Sequence, residues 1–178
     1  MSITQQYDQQ QFPNGYRFVD GVQMHAENGD QFQIPPDVLK RHLSNDQFVE
    51  LRINSPRFSA HADAAEDCRC DSCNGEASQP ILGHPEPESL HPAPDSHVPG
   101  RGWGEDFWVR ITERDGPYFR AVVDNHLHES RLHQLHFGDT IAFHANHVLA
   151  IHPSHRQELV LGMNDKDLRE LVDWLGQQ

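Results

Sequence analysis

Apolar and polar residues alternate from Phe48 to Ile53. Val49, Leu51 and Ile53 fall on one face, and Glu50 and Arg52 on the other. Successive side chains of a strand point to opposite faces, so this pattern predicts a strand buried on one side. The alternation returns at Phe107, Val109 and Ile111, set against Trp108, Arg110 and Thr112. Asp115-Gly116 is a hairpin turn signal, and Tyr118 to Asp124 reads as the return strand. Gly138-Asp139 turns into a third run, Thr140 to His144. After a break at Asn146, His147 to His152 reads as a further strand.

Two stretches follow a helical period instead. Pro36 suits a first helical turn, and Val38, Leu39 and Leu43 form a short apolar stripe ended by Asn45-Asp46. Near the end of the sequence, Asn164 is placed to cap a helix, with Asp167 three residues on. Leu168, Leu171, Val172 and Leu175 make an i, i+3, i+4, i+7 stripe, and Gly176 stops it. The order is helix, strand, insertion, four strands, helix, with hairpins and no βαβ alternation. The expected fold is α+β: a small curved antiparallel sheet or partial barrel with two helices and a long loop-like insertion.

The insertion is marked by the loss of any period. Residues 1–23 are Gln-rich with scattered aromatics and read as a polar leader. Residues 24–56 and 105–178 form one α+β domain, and 57–104 separate its halves. Six of the twelve prolines lie in 80–99. Residues 61–100 carry eight acids against Arg69 alone, a net of −7, which is more than half of the chain's −13. A structureless loop of this length inside a domain calls for something that pins it, or for plain disorder.

The charge narrows the partners. A chain at −13 is a poor ligand for phosphate-bearing surfaces, which argues against nucleic acid and anionic membrane and suits a basic protein partner or a cation. No apolar run approaches a membrane span, and Met1 to Gln11 is no signal peptide, so a cytoplasmic location is expected.

Candidate chemistry concentrates in two places. Cys68, Cys70 and Cys73 are the only cysteines and sit in the insertion. Cys-x2-Cys is a zinc-knuckle spacing, and Cys68 adds a third thiolate. An odd, clustered count fits a reducing compartment better than a disulfide framework. His61, seven residues earlier, is the favoured fourth ligand, with His84, His91 and His97 as other donors in the same segment. Zinc in a structural role is the expected cofactor. Redox chemistry and unliganded thiols are the alternatives.

The second place is histidine. Eight of the fourteen histidines lie in 126–155. His126-x-His128 on a strand would point both rings one way, as in metallohydrolases, with Asp124 or Glu129 as carboxylate. The plainer reading makes these histidines solvated strand and loop residues whose charge swings near pH 6. No G-x-S-x-G elbow, P-loop, H-E-x-x-H or G-x-G-x-x-G occurs.

Two stretches together carry a resemblance. The first is Phe32-Gln33-Ile34-Pro35-Pro36, with Leu43, Asp46 and Val49-Glu50-Leu51. The second is Glu105 to Thr112, then Val123-Asp124-Asn125, Phe137 to Phe143 and His147-Val148. Over about half of the chain this resembles small bacterial YegJ-like domains of unknown function. The resemblance implies an α+β module without known catalytic residues, and the cysteine insertion departs from that pattern. Such small families serve as immunity or accessory proteins beside bacterial toxins. The expected function is therefore a non-enzymatic, metal-stabilised protein-interaction module, with an acidic immunity protein as its sharper form. A metal-dependent hydrolase using His126 and His128, or a metal-handling protein, are the alternatives.

Overall fold

The computed structural model describes residues 1–55, 81–90 and 104–177. The fold is α+β, built on a nearly closed, barrel-like antiparallel sheet with a seam. Its strands are β1 (Arg17–Phe18), β2 (Phe48–Asn54), β3 (Ile81–Leu82), β4 (Gly104–Asp115), β5 (Tyr118–Val123), β6 (Thr140–His144) and β7 (Ala150–Ile151). The order is β1-β2-β4-β5-β6, with β3 parallel to the start of β4 and β7 beside β2.

The alternation sets the faces. Val49, Leu51 and Ile53 of β2 meet Phe107, Val109 and Ile111 of β4 in the core, all fully buried. Phe119, Ala121 and Val123 of β5 and Ile141 and Phe143 of β6 complete the interior. The pairing register shifts between Ile111 and Glu113. Such a bulge bends a long strand, which helps the sheet curl. Gly116 closes the β4–β5 hairpin at φ +58°, a conformation that L side chains resist.

The seam runs between β6 and the β1/β7 edge, and helix α1 (Ile3–Gln9) packs against the β6 side of it. Ser2 and Gln5 form a capping box that starts this helix. Just past its end, the Gln10 side-chain amide donates to Ala142 O (3.0 Å) and accepts from Ala142 N–H (3.0 Å). That closes part of the open β6 edge. Residues 1–23, read from the sequence as a leader, thus supply a helix beside the seam and strand β1. Helix α2 (Gly21–Asn28) begins at Gly21, where an added Cβ would stand 2.7 Å from Leu149 Cδ2 and 3.1 Å from Asn146 O.

Both expected helices form, as α3 (Asp37–Arg41) and α6 (Asp165–Leu175), and α4 (Ser130–His133) and α5 (Arg156–Leu161) join them. Asn164 caps α6 by accepting from the N–H groups of Lys166 and Asp167. The inward stripe of α6 is the buried Leu171 with the half-buried Leu168 and Trp174, packed against Val38 and Met163, while Val172 and Leu175 stay exposed. The large indole of Trp174 takes the inward place that the periodicity assigned to Leu175. The strand expected over 147–152 shortens to Ala150–Ile151, because His144 Nδ1 accepts from Asn146 N–H (3.1 Å) and starts a tight turn over Ala145–His147.

Candidate metal centre

The parallel pairing of β3 with Gly104 and Glu105 lays residues 83–90 along the start of β4. The turn after β5 returns to the same place. Asn125 accepts from Trp108 N–H (2.8 Å) and donates to Glu86 O (2.9 Å). Asp124 accepts from the N–H (2.8 Å) and hydroxyl (2.9 Å) of Ser89. The Trp108 indole donates to His84 O (2.9 Å). Segment 83–90 is therefore fastened to β4 and to the 124–129 turn by side chains that serve as backbone partners.

Glu105 lies beneath these segments, 1 % exposed. It faces Ile53 of β2 and shares the inward phase of Phe107 and Val109. Its Oε1 accepts from His128 N–H (2.6 Å), and its Oε2 accepts from Glu129 N–H (3.1 Å) and faces His133 Nε2 (3.4 Å). Burial alone would push this carboxyl up. The His133 and His84 rings and the two backbone donors outweigh it and hold the pKa at about 2. Glu105 is thus a buried anion, and no lysine or arginine pairs with it among the described residues.

Two imidazoles complete the cluster. The rings of His84 and His128 stack at 5.0 Å and 15°. His84 Nε2 stands 3.6 Å from Glu105 Oε1, and its side chain is 10 % exposed. That nitrogen is buried without a hydrogen-bond partner among the described residues. Ligand atoms of His84, Glu105 and His128 all lie within 4.8 Å of one another. A tetrahedral zinc with bonds of about 2.0–2.1 Å brings its donors to roughly 3.3 Å apart, so a small contraction would seat an ion. Two neutral imidazoles and one carboxylate are a known zinc donor set.

Neighbouring carboxyls behave differently. Glu50, on the outer face of β2, is pushed up to about 7 by burial and by Asp106, against the pull of Arg52 and His84. Burial also raises Glu129, which pairs with Arg131 at 3.1 Å.

The predicted ligands Cys68, Cys70, Cys73 and His61 lie outside the described residues, as do His91 and His97. His128 joins the cluster, but His126 does not. Its side chain is 71 % exposed, 3.5 Å from Glu88, with its ring against Phe137. The 126–129 stretch is a turn rather than a strand, so the two rings do not share a direction. Of the suggested carboxylates, Asp124 accepts from Ser89, and Glu129 pairs with Arg131 at 3.1 Å while its Oε2 is buried without a hydrogen bond among the described residues. Nor are the late histidines uniformly solvated, since His133, His147 and His152 are buried. Glu105 is the residue that the sequence reading missed. A carboxylate in phase with the apolar face of a strand was the signal for it.

No protein-family model matches the chain, and no curated protein or solved structure matches it either.

Proposed function

We propose that this protein is a non-enzymatic interaction module stabilised by a divalent transition ion, with zinc as the natural choice, held by His84, Glu105 and His128. The observation that carries this reading is the buried His84 Nε2, without a hydrogen-bond partner among the described residues, facing the ionised Glu105 at 3.6 Å. Buried polar atoms are almost always paired, and leaving one unpaired costs about 1–3 kcal/mol. A cation between the two would satisfy both. Its ligands come from three segments far apart in sequence, so its role is that of a staple.

The interaction part rests on shape and charge. An apolar groove of about 460 Å³ runs between α5, α6 and β7, lined by Leu39, Ile151, Leu159, Leu171 and Trp174. Val160 and Leu175 are exposed at its lip. With the chain at −13, a basic partner is favoured over an acidic one.

Elemental analysis of protein produced with zinc in the medium tests the staple. One equivalent per chain is expected, lost in His84→Ala and in Glu105→Gln. No bound metal in the wild type, or metal retained by both variants, would overturn it. A second reading draws on the same donor set. Three protein ligands leave a fourth position open, as catalytic zinc sites do, which supports a metal-dependent hydrolase built on His84 and His128. Zinc-dependent turnover of model esters or phosphodiesters, abolished by Glu105→Gln, would favour it.

A further inference from the structure

We infer that His133 is the positioning residue of this centre, and that it presents Glu105 to the ion through one oxygen only, which selects a borderline transition ion over calcium or magnesium. The inference rests on reading the cluster as a metal site. His133 is fully buried, on α4, with its ring edge-on to Tyr16 at 5.2 Å. Its Nδ1 lies 3.1 Å from the Leu135 N–H and accepts from it. An imidazole nitrogen that accepts carries no proton, so the proton of the neutral ring sits on Nε2. That N–H points at Glu105 Oε2, at 3.4 Å.

The lone pairs of Glu105 can then be assigned. Oε2 receives Glu129 N–H and His133 Nε2–H, which fills it. Oε1 receives His128 N–H at 2.6 Å and keeps one lone pair free. Oε1 is also the oxygen that faces His84 Nε2. An ion between His84 and His128 therefore meets Oε1 alone. One carboxylate oxygen with two imidazole nitrogens suits zinc or cobalt. Calcium takes six to eight oxygens, and magnesium wants an octahedral oxygen shell. Without the His133 N–H, Oε2 would be free to turn toward the ion or to water, and the carboxylate would lose its orientation. Partners of this kind, one step behind a ligand, typically change metal affinity by about 10–100-fold.

The test uses the full chain, stripped by chelator and titrated with Co²⁺ and then Zn²⁺. The wild type is expected to bind one Co²⁺ with a tetrahedral visible spectrum and to ignore millimolar Ca²⁺. His133→Ala should weaken Co²⁺ and Zn²⁺ binding by about 10–100-fold and alter the spectrum. His133→Gln, whose amide N–H can reach Oε2, should recover most of both. In the wild type, ¹⁵N NMR should show Nδ1 of His133 unprotonated and Nε2 protonated, a readout that does not depend on any variant folding. A protonated Nδ1 would overturn the inference. So would an unchanged Co²⁺ affinity and spectrum in His133→Ala. A wild type that binds neither Co²⁺ nor Zn²⁺ would instead remove the metal centre itself, and the role of His133 with it.

Discussion

At the scale of single residues, two buried histidines show how hydrogen-bond partners fix which ring nitrogen carries the proton. The Nδ1 of His133 accepts from the Leu135 N–H, so its Nε2 is the nitrogen that faces Glu105 with a proton. His147 is another case, in the tight turn after β6. Its Nδ1 faces Val19 O at 2.9 Å and so carries the proton, leaving Nε2 to accept from the Tyr7 hydroxyl at 2.8 Å. Burial lowers its pKa, the Val19 carbonyl and Asp20 oppose this, and His144 adds to the lowering. With a folded-state pKa below the unfolded value of about 6.5, the unfolded chain takes up the proton first. This contribution to stability is complete above pH 6.5 and is lost as pH falls toward the folded-state value. The slope from this one group is at most about 1.4 kcal/mol per pH unit. Urea melts between pH 7 and 5 should show the loss, and His147→Gln should flatten it. An unchanged slope in the variant would remove His147 from the account. Sequence alone could not separate His133, His147 and His152 from their exposed neighbours, because a turn has no period to reveal which way a ring points. Glu105 could have been read, since it keeps the odd-numbered phase of Phe107, Val109 and Ile111. The exposed His126 and the clustered His128 differ only in the path of the turn that carries them.

At the scale of elements, success in reading the sequence followed the apolar periodicity. β2, β4, β5, β6 and α6 each have an apolar face of several residues or a strong cap, and each forms where expected. α1 and α2 bury only Ile3 and Gly21 respectively, so no stripe announces them. What the residue just past α1 does for the sheet edge is done by polar atoms. Ala142 is fully buried, and both of its backbone groups are satisfied by Gln10. Gln10→Ala should therefore cost about 1–3 kcal/mol, more than a surface substitution, because a strand N–H and C=O lose their partners. Amide exchange at Ala142 should quicken relative to the β2–β4 ladder. A melting temperature and an exchange rate equal to wild type would show that the seam is closed by other contacts. Gly21 is the counterpart on α2. Its Cβ-less surface lets Leu149 and the Asn146 carbonyl approach, so Gly21→Ala should destabilise by about 1–3 kcal/mol despite alanine's better helix propensity. A gain in stability would mean that Leu149 simply moves aside.

At the scale of the whole molecule, closure of the sheet could not be read from the sequence. It depends on β1 and β7 sharing one edge of β2, through Arg17 opposite Asn54 and Val49 opposite Ile151, and two-residue strands have no alternation to detect. The same holds for segment 83–90, whose place is set by partners in β4 and in the 124–129 turn. The proposed ion would tie these together, since His84, Glu105 and His128 belong to three segments that meet only in the folded state. An ion that binds the folded chain alone adds stability as RT ln(1 + [L]/Kd), about 2.7 kcal/mol when free zinc is a hundred times Kd. That gain should not be spread evenly. Amides of residues 83–90 and 126–130 should gain the most protection in hydrogen exchange, because the ion would add a direct tie from both segments to Glu105 of β4 beyond their hydrogen bonds. Those of β6, held by β5 and Gln10, should change little below global unfolding. Adding chelator should reverse both effects, with the fall in melting temperature abolished in Glu105→Gln. A zinc-induced rise in melting temperature that survives in Glu105→Gln would place the stabilising ion elsewhere in the chain. A wild-type melting temperature indifferent to zinc and chelator would leave Glu105 as a buried anion held by its hydrogen-bond donors alone.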